Sequence, residues 1–100
     1  MHNNLQYTRY VILINRKKDY TTDVIKKHVE HLKQLDKTSQ LVLCGPFKDY
    51  AGGIVIIKAE SMKEAKMIAE SDPFVTEGFS TYELRTLELA NKENHYLINE

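Results

Sequence analysis

One hundred residues make about one domain, and 42% hydrophobic with 28% charged residues is an ordinary globular balance that excludes a disordered or fibrous chain. Fourteen basic residues offset fourteen acidic ones, so the charge excess expected of a nucleic-acid binder is missing. The longest apolar runs, at 11–14 and 54–57, fall far short of the ~18 residues a membrane span needs.

The opening residues lack the basic-then-apolar pattern of a secretory signal, and the lone Cys44 allows neither an internal disulfide nor a cysteine cage for metal. The expectation is a soluble cytoplasmic domain. At this size the buried core is modest, and a partner subunit would add to it.

In chain order, residues 1–6 read as an N-terminal tail. Residues 7–15 hold the β-branched run Val11, Ile12 and Ile14 around Leu13, a strand greasy on both faces. After the polar stretch 16–19, Thr22 or Asp23 is suited to cap a helix running to about Lys37. Its apolar residues Val24, Ile25, Val29, Leu32 and Leu35 gather on one side at about 100° per residue.

Residues 41–44 form a second strand, the turn formers of 45–53 a loop, and residues 54–59 a third strand. Ser61 and Glu64 have capping-box spacing and open a second helix, with Met62, Ala65, Ile68 and Ala69 as its core face. Pro73 stops that helix. Gly78 precedes a last strand over 79–87, and residues 89–100 form a C-terminal tail with helical character over 89–97.

Strand, helix, strand, strand, helix, strand is the α+β ferredoxin-like βαββαβ order, an antiparallel sheet with both helices on one face, here spanning 7–88. Successive strand residues point to opposite sides, so Val11 and Leu13 cannot share a face with Ile12 and Ile14. The second apolar face is more than soluble monomers leave bare. Two-fold packing of that face on a second copy, a homodimer through the sheet, is the expected cover.

His28 is the most informative residue. With Val24 at zero on the helical wheel, Leu35 lies near 20°, His28 near 40°, Leu32 near 80° and Ile25 near 100°. A titratable ring in mid-stripe is either a core histidine with a satisfied hydrogen bond or a general acid/base aimed into a cavity between helix and sheet. His31, near 340°, sits at the rim, where a surface role fits; His2 and His95 are tail residues. His28 and His31 are spaced to share a metal, but no further ligands stand at an obvious spacing, so no metal is expected.

Asp72, before Pro73, would face the negative end of a helix dipole unless it has another partner. It is either a turn initiator or the carboxylate that orients a histidine. Gly45 and Gly52-Gly53 lack phosphate-loop spacing. Cys44, in an apolar run, is expected to be a buried strand residue. Tyr10 and Tyr50 are expected to line a mixed pocket, each offering an apolar face and a hydroxyl.

His28-Val29 with Leu32 and Leu35, Leu41 before Gly45-Pro46-Phe47, Gly52-Gly53, Ser61 through Ala69, Asp72-Pro73-Phe74 and Gly78 together resemble the YciI-like, or YCII-related, family. The resemblance implies a dimeric α+β barrel of ferredoxin-like subunits, with His28 and Asp72 as an active-site pair beside a pocket. It also implies proton-transfer chemistry of lyase or isomerase type on an unidentified small polar or aromatic molecule, without metal or organic cofactor. One branch of that family removes chloride from a chlorinated hydroxyhydroquinone. Many relatives carry an arginine one turn before the histidine, where this chain has Ile25. A non-enzymatic small-molecule binding or regulatory module, and a purely structural His28–Asp72 contact, are the alternatives.

Overall fold

The computed structural model describes residues 5–98; His2 and the rest of the 1–4 tail, with residues 99–100, lie outside it. The elements are β1 (Thr8–Arg16), α1 (Thr22–Lys37), β2 (Leu41–Pro46), β3 (Gly52–Ile57), α2 (Met62–Ser71), the one-turn helix α3 (Pro73–Thr76) and β4 (Ser80–Glu88). The sheet order is β2-β3-β1-β4 with every neighbour antiparallel, the α+β ferredoxin-like arrangement expected from the element order.

Strand register explains the two faces. Tyr10, Ile12 and Ile14 of β1 and Val55 and Ile57 of β3 are buried with Val24 and Leu35 of α1 and Ala65 and Ala69 of α2. Small alanines let α2 approach the sheet closely. On the opposite side Val11 pairs with Ile56 and Ile56 with Leu43, while Leu13 pairs with Ile54. These five residues share one face by strand alternation, and no helix among the described residues covers it.

Several local expectations are corrected. The first helix is capped one residue earlier, by Thr21, whose hydroxyl accepts from Val24 N–H at 3.1 Å. Ser61 Oγ accepts from Glu64 N–H at 3.1 Å, but the Glu64 carboxylate turns back to Glu60 N–H at 3.0 Å rather than to the cap residue itself. Met62 is exposed, because it occupies the first position of α2, before the helix has settled onto the sheet. Cys44 is exposed as well, since β2 is an edge strand and α1 does not close over it.

The C-terminal segment forms a kinked 3-10 turn over Lys92–Leu97 rather than an α-helix, with Asn91 as its cap. It is tied to the start of β1 by Leu89 N–H donating to Tyr7 C=O at 2.7 Å.

Two glycines are dictated by close approach. A Cβ at Gly52 would lie 1.9 Å from the Ile14 carbonyl oxygen, and one at Gly53 would lie 2.6 Å from the Gly45 carbonyl oxygen. Strands on either side of β3 occupy the space any side chain would need. Gly78, at φ +79°, takes the left-handed conformation that lets the chain leave α3 and enter β4.

Candidate active site

Asp72 is the hinge of the site. It ends α2 and, at φ −66° and ψ 127°, caps α3, with Oδ1 accepting from Phe74 N–H at 2.9 Å. The unfavourable dipole of α2 is thereby offset by the opposite end of α3. Its carboxylate is almost fully buried, at 3% exposure, and receives the ring of His28 across 44 residues of chain.

His28 Nδ1 lies 2.9 Å from both Asp72 oxygens. An ionised carboxylate only accepts, so Nδ1 carries the hydrogen and Nε2 of the neutral ring presents a lone pair. Nε2 has no hydrogen-bond partner among the described residues. Because no buried side-chain nitrogen or oxygen among them lacks a partner, Nε2 is accessible.

The ring is fixed by stacking as well as by hydrogen bonding. Phe74 lies parallel to His28, with centroids 3.9 Å apart and planes 10° apart. Tyr20 covers the Phe74 ring in turn, at 3.9 Å and 7°. The Tyr20 hydroxyl is anchored 2.7 Å from Ser80 Oγ. The imidazole plane is therefore held from one side by an aromatic column and at its edge by a carboxylate.

A cavity of about 390 Å³ opens beside this column, between α1 and the β2–β3 edge. His28, Phe74 and Tyr20 form one part of its wall; Ile25, Val29 and Leu32 of α1 form another. The wheel positions account for this division. Residues near 0–20° (Val24, Leu35) enter the core, those near 80–140° (Leu32, Ile25, Val29) turn to the cavity, and His28 near 40° stands at the boundary.

Of the other residues singled out from sequence, neither tyrosine lines this cavity. Tyr10 lies on the helix-facing side but pairs with Ile57, at the far end of β1 from Ile14, roughly 13 Å along the strand at ~3.3 Å per residue. It is a core residue. Tyr50 is exposed, and its hydroxyl donates to Asn15 Oδ1 at 2.9 Å, on the opposite face of the sheet from the cavity.

His31 is half-buried rather than superficial. Burial pushes its proton affinity below the ordinary histidine value, the Asp72 charge pulls the other way, and the nearby His28 adds to the lowering. Among the described residues no group of three or more His, Cys, Asp or Glu is arranged to hold a metal ion.

The sequence reading missed Tyr20, and missed that Phe74 is a ring partner of the histidine. Nothing local marks Tyr20, which sits in the connection before α1; only the docking of α1 on α3 brings it there. Cys44 also reaches the cavity wall, because its pairing with Val55 puts it on the helix-facing side.

Comparison with known proteins agrees with this architecture. The solved structure of 5-chloro-2-hydroxyhydroquinone dehydrochlorinase (TftG) from Burkholderia phenoliruptrix AC1100, in complex with 2,5-dihydroxybenzoquinone, superposes with a TM-score of 0.64. The match is at 22% identity and covers 85% of this chain and 97% of that one, a likeness of fold. The structure of protein YJCS matches at a TM-score of 0.52 and 11% identity, over 82% of this chain and 98% of that one.

In sequence, the uncharacterized protein YjpA of Bacillus subtilis (strain 168) is 32% identical over 80 residues, which is 80% of this chain and 94% of YjpA. Residues 8–88 match the YCII-related domain, and the chain belongs to that family.

Proposed function

We propose that this chain is an acid/base enzyme in which His28 moves a proton on a small polar or aromatic molecule, by lyase or isomerase chemistry. The observation that carries the reading is the hydrogen-bond polarity of the pair: Asp72 engages Nδ1, and Nε2 is left accessible at a cavity. A substrate C–H or O–H proton passes to Nε2, and the resulting imidazolium is compensated by the ionised Asp72, which keeps its charge throughout. Returning that proton to another carbon completes an isomerisation. Loss of a leaving group such as chloride from the adjacent carbon completes an elimination, the kind of reaction named for TftG. Acid/base assistance of this sort contributes about 10²–10⁴-fold.

A binding or regulatory module is the competing reading, favoured by one observation: the Tyr20 hydroxyl is committed to Ser80, leaving His28 with little polar company on the cavity wall. The two separate in deuterated water, with cyclic enones and chlorinated hydroquinones as probes followed by proton NMR. Wild type is expected to exchange a substrate proton or release chloride, and His28→Gln to lose at least about 100-fold of that rate while keeping its fold. Equal rates in the two proteins, or binding without exchange in wild type, would sink the enzymatic reading.

The working unit in this proposal is a homodimer. Val11, Leu13, Leu43, Ile54 and Ile56 make one apolar sheet face that no element of the described protomer covers, and the same face of a second copy is its simplest complement. A cytoplasmic location accords with the single unpaired thiol of Cys44.

A further inference from the structure

We propose that the cavity selects uncharged, mainly apolar molecules of one to two rings bearing a hydroxyl or carbonyl group, and discriminates against carboxylates and phosphates; this rests on the reading of His28 as the proton-transfer group at the same site. None of the fourteen residues lining the cavity is Lys, Arg, Asp or Glu. The side-chain polar groups on its wall are the His28 ring, the Cys44 thiol and the Tyr20 hydroxyl, the last already bonded to Ser80.

Among the described residues, the only cation the wall could supply is a protonated His28, and its charge is already met by two carboxylate oxygens at 2.9 Å. An entering anion therefore meets a histidine–aspartate pair of net charge zero when the ring is protonated and minus one when it is not. It would give up water with no unpaired positive charge on the lining residues in return; Arg16, 5.8 Å over the Tyr20 ring, is not one of them. Lys27, one residue before His28 on α1, does not line the cavity and is held by Asp23 at 3.2 Å and Glu77 at 3.0 Å.

The size fits the class. An apolar protein cavity of about 150 Å³ accommodates benzene, so about 390 Å³ takes a ring with substituents or a small bicycle. The wall of Ile25, Val29 and Leu32 on one side and the glycine backbone of residues 45, 52 and 53 on the other contacts the apolar body, while accessible Nε2 meets the single polar group.

Matched probes of one shape test this. Benzamide and benzoate are titrated into the full-length protein at pH 7, with the methyl resonances of Ile25, Val29 and Leu32 as reporters. Benzamide is expected to bind at least tenfold more tightly than benzoate. Ile25→Arg, at a position 43% exposed and so tolerant of a long side chain, is expected to raise benzoate affinity and reduce or invert that ratio. Val29→Lys is expected to do the same from the next turn of the helix.

Equal or tighter benzoate binding by wild type overturns the proposal, as does the absence of saturable shifts with both probes, or a ratio unmoved by both new cations. Neither probe is turned over, so a failed preference is distinguishable from a failure of proton transfer. Absence of proton exchange by wild type alongside an intact benzamide-to-benzoate preference would instead strike the catalytic reading alone.

Discussion

Asp72 performs two tasks, Oδ1 serving both Phe74 N–H and the His28 ring and Oδ2 the ring alone, and two substitutions pull them apart. Asp72→Ala deletes the cap on Phe74 N–H, a loss of about 0.5–2 kcal/mol. It also deletes a charge-assisted hydrogen bond to His28, a loss of about 1.5–3 kcal/mol. The expected destabilisation is roughly 2–5 kcal/mol, out of a total stability of about 5–15 kcal/mol for a small domain. At about 4–8 °C per kcal/mol this lowers Tm by roughly 8–40 °C.

Asp72→Asn keeps an oxygen for Phe74, and asparagine caps about as well as aspartate, so its cost should be only about 1–2 kcal/mol. It reverses the polarity of the other contact, however. With the amide oxygen kept at the Oδ1 position by Phe74 N–H, the NH₂ takes the place of Oδ2 and donates to the ring, so His28 Nδ1 becomes an acceptor and the hydrogen of the neutral imidazole moves to Nε2. Urea denaturation measures the first effect, and nitrogen-15 correlation spectra of the histidine rings at neutral pH measure the second. An Asp72→Asn protein that retains the hydrogen on Nδ1, or an Asp72→Ala protein as stable as Asp72→Asn, would refute this account of how the site is held.

Three further outcomes follow from geometry and burial. His31 holds its proton less tightly in the folded state than the ordinary value of 6.5, so its contribution is harmless above that pH and destabilising as pH falls through it, when the unfolded chain binds the extra proton. His31→Gln should therefore flatten the fall in urea midpoint between about pH 7 and 5; an unchanged slope would contradict the burial of the ring. Gly52→Ala puts a methyl group 1.9 Å from the Ile14 carbonyl oxygen and should cost about 3 kcal/mol, the upper end for overpacking, read as a large drop in Tm by circular dichroism. A near-neutral result would mean that β1 and β3 can part at that point. Leu43→Lys, at a half-exposed site on the uncovered sheet face, should shift sedimentation toward the 11.6 kDa protomer, whereas an 11.6 kDa wild type at micromolar concentration would remove the sheet-face dimer from consideration.

Much of the architecture was written in local periodicity. The apolar runs at 11–14 and 54–57 make strands with two greasy faces because alternate side chains must point opposite ways. The wheel position of His28 likewise set a titratable ring within the apolar stripe, since a helix converts spacing directly into direction, but left open whether it faced core or cavity.

What spacing along the chain does not encode is which elements meet. The meeting of His28 with Asp72, and the column of Tyr20, Phe74 and His28, depend on α1 docking against α3. The exposure of Cys44 depends on β2 being an edge strand, and the distance of Tyr10 and Tyr50 from the cavity depends on where along the sheet that cavity opens. Helices and strands follow from short-range sterics and hydrophobic period, whereas a site assembled from residues 20, 28, 72 and 74 exists only after long-range packing has chosen one docking geometry among those the same elements permit.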